Sequence, residues 1–169
     1  INGGSWGLAS NYIHYLDLFS FLTKNYNIKI IMTKLNKPYS SKRKQFKEFD
    51  GYIAAETNRG DQLTVNEDKS SYRLLTIEIF TKQIKIIIFQ AYNQAIILKN
   101  YKDLKIKLIR FNIENQSVLT KYIIEDIFNY SDCKLIKVEH SYKLHKIMLH
   151  TFYNHLKKYY KNIEFCPIT

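Results

Sequence analysis

The chain has 169 residues, 46% of them hydrophobic and 15% aromatic, enough apolar material for one buried core and too short for two comfortable ones. Its 26 Lys and Arg stand against 15 Asp and Glu, a formal charge of +11 that favours polyanionic partners, nucleic acid first. Cys133 and Cys166 lie far apart without CxxC spacing, which argues against a zinc site and a disulfide scaffold and suits a reducing compartment.

No apolar run reaches the length of a membrane span, and no secretory leader is visible. A membrane partner is therefore not expected. The setting expected is intracellular, with cytoplasm, nucleus and organelle left open. Abundant Lys, Asn, Ile and Tyr beside only 5 Gly and 2 Pro suggest an AT-rich coding genome, so part of the lysine excess reflects codon usage.

In chain order, "NGGSWG" is followed by a segment in which Tyr12, Tyr15, Leu16, Phe19 and Leu22 recur at helical spacing, with Ser10 or Asn11 as the expected cap. "IKIIMT" (28–33) reads as a short buried strand. The basic loop "KLNKPYSSKRKQFKEF" comes next, where Pro38 and the Ser pair argue against regular structure. "GYIAAET" and "QLTVNE" read as strands about the turn at 58–60. "YRLLTIEIF" and "IKIIIFQAY" read as a longer hairpin, rich in β-branched and aromatic residues. "LKIKLIRF" is another strand, while "CKLIKVE" and "HKIMLHTF" suggest a closing pair of strands. Residues 117–129, around "SVLTKYIIEDIF", fit a helix or a strand equally.

Together these elements predict an α/β fold in which apolar runs too continuous for a one-faced sheet are covered on both sides. "RGD" at 59–61 is read as a β-turn. His140, His145, His150 and His155 recur every fifth residue, which on a helix sets successive side chains about 140° apart. They do not converge on a metal.

The ordered landmarks "INGGSWG", "IKIIMTKL", "ETNRGDQLTV", "LTIEIFTKQIKIIIFQAYN", "KLIRFNIEN", "IIEDIFNYSDCKLIKVE" and "KLHKIML" resemble the endonuclease/exonuclease/phosphatase superfamily. The version most similar is the endonuclease domain of non-LTR retrotransposons. The resemblance implies a trimmed four-layer fold, a two-sheet β-sandwich flanked by helices. Its domain would cover residues 1–151, with 152–169 forming a basic aromatic C-terminal helix or tail.

The family's chemistry needs a divalent metal on carboxylates and a water activated by an Asp and a His. Carried over by motif, Asn2 stands at the first Asn, Tyr92 at the "VYAP" Tyr, Asn112 at the Asn of "GDFN" and His145 at the His of "SDH". The acids do not carry over. The metal-binding Glu falls at Leu35, or at Lys34 with a one-residue slip, the "GDFN" Asp at Arg110 and the "SDH" Asp at Leu144. Glu125 or Asp126 preserves at most one carboxylate.

The resemblance thus implies a catalytically inactive, nuclease-derived protein without a cofactor, its remnant positions Asn2, Tyr92, Asn112 and His145 meeting at one end of the fold. Such a protein would bind nucleic acid, RNA favoured, or serve as a structural part of a ribonucleoprotein such as a ribosome. The alternatives are an active retroelement endonuclease using Mg²⁺ and a protein-interaction scaffold. Candidate nucleic-acid contacts are Lys42, Arg43 and Lys44 in the basic loop, and Lys157, Lys158, Tyr159, Tyr160 and Lys161 near the C-terminus, where lysine interleaves with tyrosine. That last segment reads equally as a closing helix with Phe152, Leu156 and Tyr159 inward.

Overall fold

The computed structural model describes residues 1–99, 104–133 and 135–168. In chain order the elements are β1 (Asn2–Gly3), α1 (Leu8–Thr23), β2 (Ile28–Leu35), β3 (Tyr39–Ser40), β4 (Lys47–Glu48), β5 (Gly51–Thr57) and β6 (Gln62–Glu67). They continue with β7 (Thr76–Phe80), β8 (Ile84–Phe89), a 3₁₀ turn at Gln90–Tyr92, β9 (Gln94–Lys99), β10 (Lys105–Arg110), α2 (Gln116–Tyr130) and α3 (Val138–Lys157). The fold is α/β, and the chain forms two compact units, Ile1–Leu75 with Val138–Thr169, and Thr76–Lys137. No helix among the described residues is long and apolar enough to cross a membrane.

In the first unit the strands run in the order β1-β6-β5-β2, with β1 parallel to β6 and the other neighbours antiparallel. β3 and β4 make a separate two-stranded ribbon inside the basic loop that the sequence reads as irregular. Along β6 the residues alternate: Leu63, Val65 and Glu67 are buried while Gln62 and Thr64 are exposed. Helix α1 lies against β6 and β4, α3 lies against β2, and the two helices touch. The core between them holds Leu8, Tyr12, Leu16, Phe49, Ile53, Val65, Leu144, Phe152 and Leu156.

The expected helical stripe on α1 is found at Tyr12, Tyr15, Leu16 and Phe19, whereas Leu22 is exposed. The "RGD" segment is a turn, as its sequence predicts. Thr57 Oγ1 donates to Asp61 at 2.8 Å, and Arg59 donates to the carbonyl of Thr23.

The closing pair of strands expected from "CKLIKVE" and "HKIMLHTF" is corrected by the structure. Residues 138–157 form the single helix α3, and Lys134 of the first segment lies outside the described residues. Leu144, Met148, Phe152 and Leu156 recur every fourth residue and bury one stripe, so helical periodicity overrides the β-branched and aromatic content of the segment. The domain edge expected at 151/152 falls inside this helix. Phe152 and Leu156 point inward as expected, but Tyr159 is 44% exposed.

The second unit is an antiparallel run, β7-β8-β9-β10, with α2 following. The ambiguous segment 117–129 is helical. The strand expected to continue through "QAY" stops at Phe89, and Asn93 takes a left-handed conformation (φ 52°) that turns the chain into β9. No residue of α2 is buried, and in the strands of this unit Ile77 and Ala95 are the buried side chains among those described.

Candidate functional site

Helix α1 begins where β1 ends, after a glycine-rich turn, an arrangement that often presents free backbone amides to a phosphate. Gly7, the residue before the helix, needs its positive φ of 81° to turn the chain inward. The amides are already taken. Glu67, at an inward position of β6, accepts from the N–H groups of Trp6 at 2.8 Å, Gly7 at 3.0 Å and Leu8. Glu48, from β4, accepts from Ala9 N–H at 2.5 Å, Ser10 N–H at 3.3 Å and Ser10 Oγ at 2.5 Å.

Two buried carboxylates therefore cap one helix, 59 and 39 residues away from the amides they meet. Burial pushes the Glu67 carboxyl above its ordinary value, and the nearby Glu48 charge adds to that, against the lowering effect of the amide bonds. The local candidates for the cap do other work. Ser10 donates to Glu48, and the Asn11 amide donates to the carbonyls of Trp6 and Gly7, both at 2.9 Å.

One turn further on, α1 carries His14 and Asp17, which the sequence reading did not single out. His14 is exposed and Asp17 half-buried. Asp17 Oδ1 is shielded from solvent and has no hydrogen-bond partner among the described residues. Desolvation raises the Asp17 carboxyl above its ordinary value, while the charges of His145, on α3, and of His14 draw it down. His145 Nδ1 donates to the Ser141 carbonyl at 2.9 Å, which fixes that nitrogen as protonated. Asp17 therefore lies within electrostatic reach of two imidazoles, one on its own helix and one on α3. An i, i+3 pair of His and Asp inside an otherwise apolar helix was the available sequence signal.

The other histidines of α3 have separate surroundings. His140 stacks on Tyr26 at 3.8 Å, His150 meets Asn154 at 3.1 Å, and His155 Nε2 donates to the Asn36 carbonyl at 2.9 Å. Among the described residues no group of three or more His, Cys, Asp or Glu is arranged to hold a metal ion.

The positions marked by the nuclease resemblance divide between the units. Asn2 lies in β1 and His145 in α3 of the first unit, while Tyr92 is in the 3₁₀ turn and Asn112 follows β10 in the second. Leu35 ends β2, Arg110 ends β10 and is exposed, and Leu144 is fully buried in the core of the first unit. The basic residues are more informative. Lys42, Arg43 and Lys44 lie on the tight loop between β3 and β4, where Ser41 N–H donates to Phe46 O at 3.0 Å. The tail after α3 returns to the same ribbon: Lys47 N–H donates to Pro167 O at 2.8 Å, and the Lys47 ammonium stands 5.4 Å from the Tyr160 ring.

No family model and no curated protein sequence matches the chain. Among solved structures, a candidate NADPH-dependent oxidoreductase from Desulfitobacterium hafniense DCB-2 has a similar fold, with a TM-score of 0.60 and 12% sequence identity. The match covers 85% of this chain and 43% of that one, so this chain spans less than half the length of that structure.

The dinucleotide that such a protein would use does not fit the one glycine-rich strand–turn–helix described above. Glu67 and Glu48 occupy the amides a pyrophosphate would need, and their charge would repel it.

Proposed function

We infer that this chain is the substrate-facing α/β portion of a two-part oxidoreductase whose dinucleotide is held by protein outside the described residues. The observation that carries this reading is the fold match to under half of a candidate NADPH-dependent oxidoreductase, combined with a helix start closed to phosphate. Interconverting an alcohol and a carbonyl requires a group that gives a proton to the oxygen or takes one from it. Exposed His14 is suited to hold that proton. Asp17, with Oδ1 shielded and unpartnered, lies one turn along α1, within electrostatic reach of His14 and of His145 on α3.

Titrating the chain with NADPH is expected to leave the amide NMR signals of Trp6, Gly7, Leu8 and Ala9 at the start of α1 unmoved. A panel of small hydroxy and keto compounds is expected to shift the His14 imidazole signals in NMR spectra, with the assignment made by His14→Gln. NADPH binding at the start of α1, or a His14 signal indifferent to the whole panel, would overturn the reading.

A further inference from the structure

The tail at residues 158–168 folds back along β4 and leaves a groove of about 400 Å³ lined by Lys47, Tyr160, Lys161, Asn162, Ile163 and Pro167. That volume lies within the range of small-ligand clefts, roughly 300–1,000 Å³. One wall combines a cation with an aromatic plane, since Lys47 stands over Tyr160. Neither Lys47 nor Lys161 meets a carboxylate among the described residues. The acids nearest in sequence do not neutralise them: Glu48 is turned inward onto the amides of α1, and Glu164 is exposed on the tail. More cations lie close in sequence: Lys42, Arg43 and Lys44 sit on the loop that leads into Lys47.

We propose that this groove binds a nucleotide unit, its phosphate against Lys47 and Lys161 and its base against Tyr160. An acidic peptide would satisfy the lysines but would gain nothing from the tyrosine plane, whereas a nucleotide uses both. Two sources share this chemistry, a free nucleotide and a segment of single-stranded RNA. The cations of the 42–44 loop give a strand additional phosphate contacts that a free nucleotide cannot reach.

The test is fluorescence anisotropy of the full chain with a short labelled oligouridylate over a salt series, with unlabelled UMP and polyglutamate as competitors. Binding should weaken with salt, and Lys47→Gln/Lys161→Gln should flatten the log–log slope by about 0.7 for each lost contact. Tyr160→Ala should weaken binding about tenfold with the slope retained. A control, Lys105→Gln/Lys107→Gln on β10, removes the same charge from the other unit and should leave affinity unchanged. Competition by UMP at saturating levels identifies a free nucleotide as the source, and competition by oligomer alone identifies a strand. Photocrosslinking of uridine to Tyr160 in the unaltered chain supports the site without any variant. Absence of binding, an equal loss in the control, or competition by polyglutamate as effective as by RNA would each overturn the proposal.

Discussion

At the residue scale, the core of the first unit contains a polar group with nowhere to go. Tyr12 is fully buried, its ring 5.8 Å from that of Phe152, and its hydroxyl has no partner among the described residues. Burial raises its pKa far above the ordinary phenolic value, so the group stays neutral and the cost is that of an unsatisfied hydroxyl, about 1–3 kcal/mol. Tyr12→Phe is expected to leave stability unchanged or raise it by about 1 kcal/mol in urea unfolding, and a loss above that size would reveal a partner for the hydroxyl. His155 provides the pH-dependent case. Burial, assisted by the charge of Lys158, lowers its pKa below the ordinary 6.5, against the effect of its bond to the Asn36 carbonyl. The folded chain therefore resists a proton that the unfolded chain accepts. Its contribution to stability is complete above pH 6.5 and is lost as pH falls from there toward the depressed folded value. Urea midpoints measured at several pH values should show this decline in the unaltered chain, and a smaller one in His155→Gln. The sequence could not display either residue's state, because each depends on what a distant element places beside it.

At the element scale, legibility followed the range of the interactions. The strands β5, β6 and β10 and the apolar stripe of α1 were readable because strand alternation and helical periodicity are written within a few residues. Helix α3 was misread because two short β-like segments hid a stripe at 144, 148, 152 and 156, visible only over the full helix. β9 was missed because the turn before it depends on Asn93 in a left-handed conformation rather than on the usual glycine. The head of α1 was the least legible feature, since its caps come from β4 and β6 rather than from the expected Ser10 or Asn11. These contacts also make a prediction. Glu67→Ala leaves the amides of Trp6, Gly7 and Leu8 without their acceptor in a buried setting, and should cost at least about 2 kcal/mol. Ser10→Ala removes only one hydroxyl donor to Glu48 and should cost less. Equal effects in thermal denaturation would mean that the carboxylate cap is not what holds the helix start.

At the scale of the whole molecule, apolar burial is distributed unevenly between the two units. The largest fully buried side chains, Tyr12, Phe49, Phe152, Leu8 and Leu16 among them, all belong to Ile1–Leu75 with Val138–Thr169. In Thr76–Lys137, Ile106, Leu108 and Phe128 are 65%, 56% and 84% exposed, and α2 buries nothing. Apolar burial is the main favourable contribution to folding, at roughly 25 cal/mol per Å², so the second unit should be the less stable one when the chain is studied alone. The single tryptophan, Trp6, lies in the first unit, with its ring 5.1 Å from that of Tyr15 in an edge-on arrangement, and its fluorescence reports that unit. Far-UV circular dichroism reports α2 and the strands of the second unit as well. Urea unfolding followed by dichroism should therefore begin at lower denaturant than unfolding followed by Trp6, with distinct midpoints rather than one two-state transition. Hydrogen exchange gives the same test by element: amides of α2 and β8 should exchange ahead of those of β5 and β6. Superimposable unfolding curves and uniform protection would show that residues 76–137 share the stability of the first unit despite their exposed apolar surface.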